Sequence, residues 1–153
     1  MDFIGRLADV VRRAVGGPPR LLPAQVVIEA TNRCNLNCPF CLVGMQNELK
    51  EQGGDCSHDL MTRPMGIMSG ETFARVRMEL LAFGIRKVYL HFQGEPFLNR
   101  RTPDFARQLK SDGMYVGVFI NGQAFADGMV ERVAQLEIDL IRFSVDGASE
   151  ETY

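Results

Sequence analysis

The chain has 153 residues, 46% of them hydrophobic, with 17 Lys and Arg set against 19 Asp and Glu for a net charge of −2. That balance is ordinary for one globular domain and excludes the basic field of a nucleic-acid binder. No unbroken apolar run marks a secretory leader or a membrane span, so the four cysteines are assigned to a reducing cytoplasm, where clustered thiols signal metal or redox chemistry.

In chain order, Phe3, Ile4, Leu7, Val10, Val11 and Ala14 recur at helical spacing and predict a helix over 3–15, which "GGPPR" (16–20) ends. Residues 1–20 are therefore an N-terminal helix and linker. "QVVIEAT" (25–31) is a β-branched run suited to a buried strand, and the cysteines follow at its C-terminal end. Residues 42–68 look like a long polar connection. Ser69 can cap a helix through Phe83 that Gly84 stops. "KVYLHFQ" (87–93) predicts a second strand, with His91 inside it as a packed core residue. Thr102-Pro103 starts a helix, cap then first turn, that runs to Gly113. "YVGVFING" (115–122) is a third strand, Asp127 can cap a helix to about Gln135, and "DLIRFSVDG" (139–147) is a fourth strand.

Alternating strands and helices imply a parallel sheet. Polar and glycine-bearing residues recur where each strand ends: Cys34 to Cys41, Gly94-Glu95, Asn121-Gly122, Ser144 to Gly147. All such ends face one way in parallel α/β folds, so the four strands build one site. Four units of this kind do not close a barrel, and the chain stops one turn into a further helix after Ser149. The expectation is an α/β, parallel partial barrel of about four units, the N-terminal part of something larger.

"RCNLNCPFC" (33–41) sets Cys34, Cys38 and Cys41 three and then two residues apart. Three thiolates can hold three irons of a cubane [4Fe–4S] cluster and leave the fourth iron open, as a catalytic metal requires. The alternative is a structural zinc site, with Cys38 and Cys41 joined by Cys56 and His58. That choice leaves Cys34 unexplained. Asn121 also reads as a turn residue before Gly122, and Ser144 and Asp146 as caps of a following helix.

The Cys-x3-Cys-x2-Cys spacing, with Phe40 before the last cysteine, resembles the signature of the radical S-adenosylmethionine (radical SAM) enzymes. "HFQGEPFLN" (91–99) is similar to that family's Gly-Gly-Glu-Pro motif, with Gln93 in place of the first glycine. "FING" (119–122) resembles its third-strand Thr-Asn-Gly, and "FSVDG" (143–147) its fourth-strand end. "DGASEETY" (146–153) is similar to members carrying a C-terminal auxiliary-cluster (SPASM-type) extension. The resemblance implies that 21–153 is the N-terminal part of a radical SAM core domain. It implies a [4Fe–4S] cluster on Cys34, Cys38 and Cys41, with S-adenosylmethionine on the open iron. Phe40, Gly94, Glu95, Asn121 and Ser144 would contact that cosubstrate. Reductive cleavage would give a 5′-deoxyadenosyl radical that abstracts hydrogen from substrate, and members with such an extension often modify peptides or proteins. An electron donor such as a flavodoxin or ferredoxin follows as a partner. The competing function is a non-catalytic zinc or iron–sulfur module.

Overall fold

A computed structural model describes residues 14, 23–53, 63–125, 128–147 and 149. Four short strands, β1 (Val26–Ile28), β2 (Lys87–Leu90), β3 (Tyr115–Ile120) and β4 (Leu140–Phe143), form one sheet in the order β1-β2-β3-β4. Every pairing is parallel, with Val26 opposite Val88, Val88 opposite Val116 and Val118 opposite Ile141. Between them run α1 (Leu42–Glu51), α2 (Gly70–Ala82), α3 (Thr102–Ser111) and α4 (Met129–Ala134), with a 3-10 turn at Pro96–Leu98.

The helices bury one sheet face. Val88, Leu90, Val116 and Val118 are fully buried, and Phe73 of α2 stacks on Phe105 of α3 with centroids 4.1 Å apart. Aliphatic β-branched residues suit such strands, and each fully buried side chain of this size contributes about 1.5–3 kcal/mol. The sequence signals that start α2 and α3 act locally. Ser69 accepts the Thr72 N–H at 3.0 Å as a side-chain cap, and Pro103 stands in the first turn of α3. Asp112, just beyond α3, receives Arg77 of α2 in a bidentate pair at 2.5 and 2.6 Å, tying the middle of α2 to the C-terminal end of α3.

The opposite sheet face is aromatic. Tyr89 lies edge-on to Phe119, with Lys87 over the Tyr89 and Tyr115 rings and Arg142 over Phe119. Alternate residues of a strand point to opposite faces, so one set serves the core and the other this open surface.

Four expectations change. The long connection over 42–68 begins with a helix, α1; Leu42, Val43, Gln46 and Leu49 carry its spacing, and Val43 and Gln46 are buried. Arg101, not Thr102, is the cap of α3; Thr102 is already helical, and its hydroxyl donates to the Pro96 carbonyl at 2.5 Å. His91 lies past the end of β2, because pairing with β1 and β3 stops at Leu90. Each strand is shorter than its apolar run, the C-terminal residues being turned out into the loops. The helix expected over 3–15 (except Ala14), Asp127, Cys56 and His58 lie outside the described residues.

Candidate functional site

The chain leaves β1 and crosses the C-terminal edge of the sheet as a loop carrying all three cysteines. Cys41 caps α1 through its backbone, its carbonyl accepting the Met45 N–H at 2.8 Å. Its own N–H donates to the Cys38 carbonyl at 3.1 Å, making a turn of the last two cysteines. From α1, Asn47 reaches back and donates to the carbonyls of Cys34 and Leu36 at 3.0 and 3.1 Å. Gly44 packs against the same loop: a Cβ there would overlap the backbone nitrogen and oxygen of Cys38. The loop is therefore held by the helix that follows it.

Cys34, Cys38 and Cys41 are free and half-buried. Burial pushes the Cys34 thiol up from its ordinary pKa, and the charges of Glu95 and Cys38 act the same way. Burial also raises Cys38, followed by the charges of Cys41 and Asp146. Such crowding disfavours thiolates in the free chain and is relieved by a cation among them.

The end of β2 fits against this loop. Gly94 touches it so closely that a Cβ would overlap the Thr31 carbonyl oxygen and lie 2.7 Å from that of Arg33. Glu95 is 3% exposed. Its N–H donates to Arg33 O at 2.8 Å, while its carboxylate accepts the N–H of Phe97 at 3.3 Å and of Asn121 at 2.7 Å. Burial raises its pKa, and those two backbone donors oppose the rise. Gln93 finds a local use for its side chain. Its N–H donates to Glu29 at 3.2 Å, and its Oε1 accepts from Arg63 at 3.1 Å. Arg63 also pairs with Glu29. Asn99, 1% exposed, donates to the carbonyls of Ala30 and Met68, tying the β1 loop to the segment before α2.

Beyond β3, Asn121 donates to Asn35 Oδ1 at 2.9 Å and lies 3.8 Å from the Cys34 sulfur. Beyond β4, the Ser144 N–H donates to Ile120 O at 2.8 Å. One cavity of about 940 Å³ collects these ends: Cys34, Cys38, Cys41, Phe40, Gly94, Glu95, Asn121 and Ser144 all line it. Phe40 is 75% exposed at its rim. The sequence reading missed further residues around it. His91 lines the cavity with its ring stacked on Phe119, 4.2 Å between centroids, and Arg142 sits over that Phe119. Burial lowers the His91 pKa, and the Arg142 charge lowers it further. Asp146, within the Ser144 to Gly147 stretch expected at the site, is on the lining, while Asn47 and Gly44, not expected there, stand behind the loop. Gly44 carries no local signal, because its stretch reads as a connection, and the others depend on contacts distant in sequence.

Fold and site together define a parallel α/β protein with a thiol triad at the C-terminal edge of its strands. Among the described residues no three His, Cys, Asp or Glu side chains close into a cage for a single ion. Three half-buried thiols on one pinned loop instead fit a multi-iron group whose sulfur ligands stand apart.

A family model for the Radical SAM superfamily matches residues 28–153, and the chain belongs to that superfamily. The cofactors of this family are a [4Fe–4S] cluster and S-adenosylmethionine, and its members are enzymes. Similar proteins include the tungsten-containing aldehyde ferredoxin oxidoreductase cofactor-modifying protein of Pyrococcus furiosus. It is 30% identical over 119 residues, 78% of this chain and 30% of that protein. The PqqA peptide cyclase of Rhizobium meliloti is 26% identical over 99% of this chain and 36% of its own length. The sporulation killing factor maturation protein SkfB of Bacillus subtilis is 26% identical over 92% of this chain and 30% of its own. The chain thus spans about a third of the length of these relatives. Among solved structures, BtrN in complex with AdoMet and 2-DOIA has the same fold, with a TM-score of 0.61 at 19% identity over 84% of this chain and 48% of that one.

Proposed function

We propose that this chain is the N-terminal, cluster-binding part of the core domain of a radical SAM enzyme acting on a peptide or protein. The observation that carries the reading is the convergence of three free thiols and four strand ends on one cavity. Cys34, Cys38 and Cys41 would hold three irons and leave the fourth to the cosubstrate. When bound, the reduced cluster and S-adenosylmethionine supply an electron and a breakable carbon–sulfur bond, giving a radical that takes hydrogen from an unactivated position.

The chain's own residues do the placing. Asn47 and Gly44 fix the cysteine loop, and Glu95 joins the ends of β2 and β3 beneath it. Phe40, exposed at the rim, offers a ring face to the adenine, and Ser144 a hydroxyl to the ribose. Gly94 and Glu95 would face the methionine end, and Asn121 lines the same cavity. The stacked rings of His91 and Phe119 line the cavity wall and would exclude water, with Arg142 over Phe119. A peptide substrate is supported by the PqqA cyclase and SkfB relatives. The enzyme would work in the cytoplasm, where thiols stay reduced, with a flavodoxin or ferredoxin as electron donor. No helix of the described residues is long and apolar enough to cross a membrane.

The test uses the full-length protein, reconstituted anaerobically with iron and sulfide and reduced with dithionite. Adding S-adenosylmethionine should change the electron paramagnetic resonance spectrum and release 5′-deoxyadenosine. Stoichiometric zinc without acid-labile sulfide would instead support the metal-module reading.

A further inference from the structure

Asn121 stands in the turn after β3 with its backbone N–H and both polar atoms of its side chain engaged. Its backbone N–H donates to Glu95 Oε2, and its side-chain Oδ1 accepts the Gln123 N–H at 2.9 Å. This second bond fixes the amide's orientation, because only the oxygen can accept. The amide nitrogen therefore faces the cysteine loop with two hydrogens and two recipients, Asn35 Oδ1 at 2.9 Å and the Cys34 sulfur at 3.8 Å. The longer contact is to the larger and softer atom. A thiolate on iron is a stronger acceptor than a thiol, and hydrogen bonds to charged acceptors are the shorter ones.

Resting on the proposed function, we infer that Asn121 sets the cluster's reduction potential: its amide N–H donates to the Cys34 thiolate and makes the cluster easier to reduce. One-electron reduction adds negative charge that is shared with the sulfurs, so an N–H aimed at a sulfur stabilises the reduced state more than the oxidised one. The need for such a donor is local. The buried Glu95 carboxylate, bonded to the same asparagine's backbone, places a negative charge close to Cys34 and works against reduction. Asn121 touches an iron ligand and not the reacting atoms, so it is a positioning residue. Its sequence reading as a turn former also holds, since its Oδ1 closes the turn onto Gln123.

The test is a dithionite titration of the full-length reconstituted protein without S-adenosylmethionine, followed by electron paramagnetic resonance. Asn121→Asp keeps the side chain's size and the acceptor for Gln123 while removing both amide hydrogens; Asn121→Ala removes donor and acceptor. Asn121→Ala should weaken the reduction equilibrium about tenfold, a midpoint lower by about 59 mV for one electron. Asn121→Asp should fall further, because it adds a charge. Asn35→Ala leaves the donor to sulfur in place and should hold the wild-type midpoint. An unchanged midpoint in Asn121→Asp at full iron content overturns the inference. If the variants lose the cluster, wild-type protein labelled with nitrogen-15 in its asparagine side chains decides by pulsed resonance. A coupling between an asparagine amide nitrogen and the reduced cluster supports the inference, and its absence overturns it. A wild-type protein that takes up no iron and sulfide fails the proposed function itself, and the inference falls with it.

Discussion

Glu95 and Asn121, 26 positions apart, are joined by a 2.7 Å hydrogen bond from the Asn121 backbone N–H to the Glu95 carboxylate. With Phe97 N–H on its other oxygen, this carboxylate is a brace between strand ends before it is anything to a ligand. Glu95→Gln should therefore lower the stability of the apo protein by about 1–3 kcal/mol, because an NH2 group would face one of two buried backbone donors. The relief of a buried charge offsets only part of that. Urea denaturation of the cluster-free protein checks it; an unchanged midpoint, with S-adenosylmethionine binding alone impaired, would contradict the brace.

Gly94 and Gly44 are both wedged against the cysteine loop, so alanine at either should destabilise by about 1–3 kcal/mol through overpacking. At Gly44 two effects compete. Alanine favours the helix by about 1 kcal/mol over glycine, but the methyl group overlaps the Cys38 backbone, which cannot swing away as a side chain would. Overlap should win, and a Gly44→Ala protein melting higher than wild type would show that the loop yields.

Changing any one of Cys34, Cys38 or Cys41 to alanine should abolish the brown colour after anaerobic reconstitution, while Cys56→Ala should retain it. Asn47→Ala, which frees the carbonyls of Cys34 and Leu36, should lower iron retention about 10–100-fold against a chelator. Equal iron loss in the Cys56 variant would replace the three-ligand assignment.

His91 gives a pH dependence whose sign follows from its burial. Its pKa is lowered in the folded chain, so the unfolded chain binds more protons once the pH falls below about 6.5. The stability associated with a neutral His91 is complete above that pH and is lost as the pH drops through it. Comparing melting temperatures at pH 7.5 and 5.5, His91→Phe should show a smaller loss than wild type, keeping the stack on Phe119 without a titrating ring.

The alternation of strands and helices is legible because apolar runs such as "VVI" and "YVGVFI" put Ile28, Val116, Val118 and Ile120 into the core, and because Ser69 and Pro103 punctuate locally. The thiol triad is legible for the same reason: its spacing is short-range. α1 is not, since its cap is a cysteine with no side-chain bond and its interior holds a glycine, both of which argue against a helix until Cys38 is seen packed on Gly44. Gly94, which the family motif implies at the cosubstrate, is also crowded by the chain's own carbonyls of Thr31 and Arg33. Gln93, a departure from the family motif, makes sense only with Arg63 and Glu29 beside it. Pairings across 30 or more positions leave no mark in a local pattern.

The two carbonyls clasped by Asn47 belong to the loop that carries the three cysteines and has no strand or helix of its own before Leu42. Ordering one residue of free chain opposes binding by about 1–2 kcal/mol, so a loop already fixed in the iron-free protein spares that entropy when iron arrives. Filling then resembles docking into a socket and not coupled folding. A protein stripped of its cluster by oxygen should accordingly keep its secondary structure, remain dispersed, and recharge on renewed exposure to iron and sulfide without passing through an unfolded state.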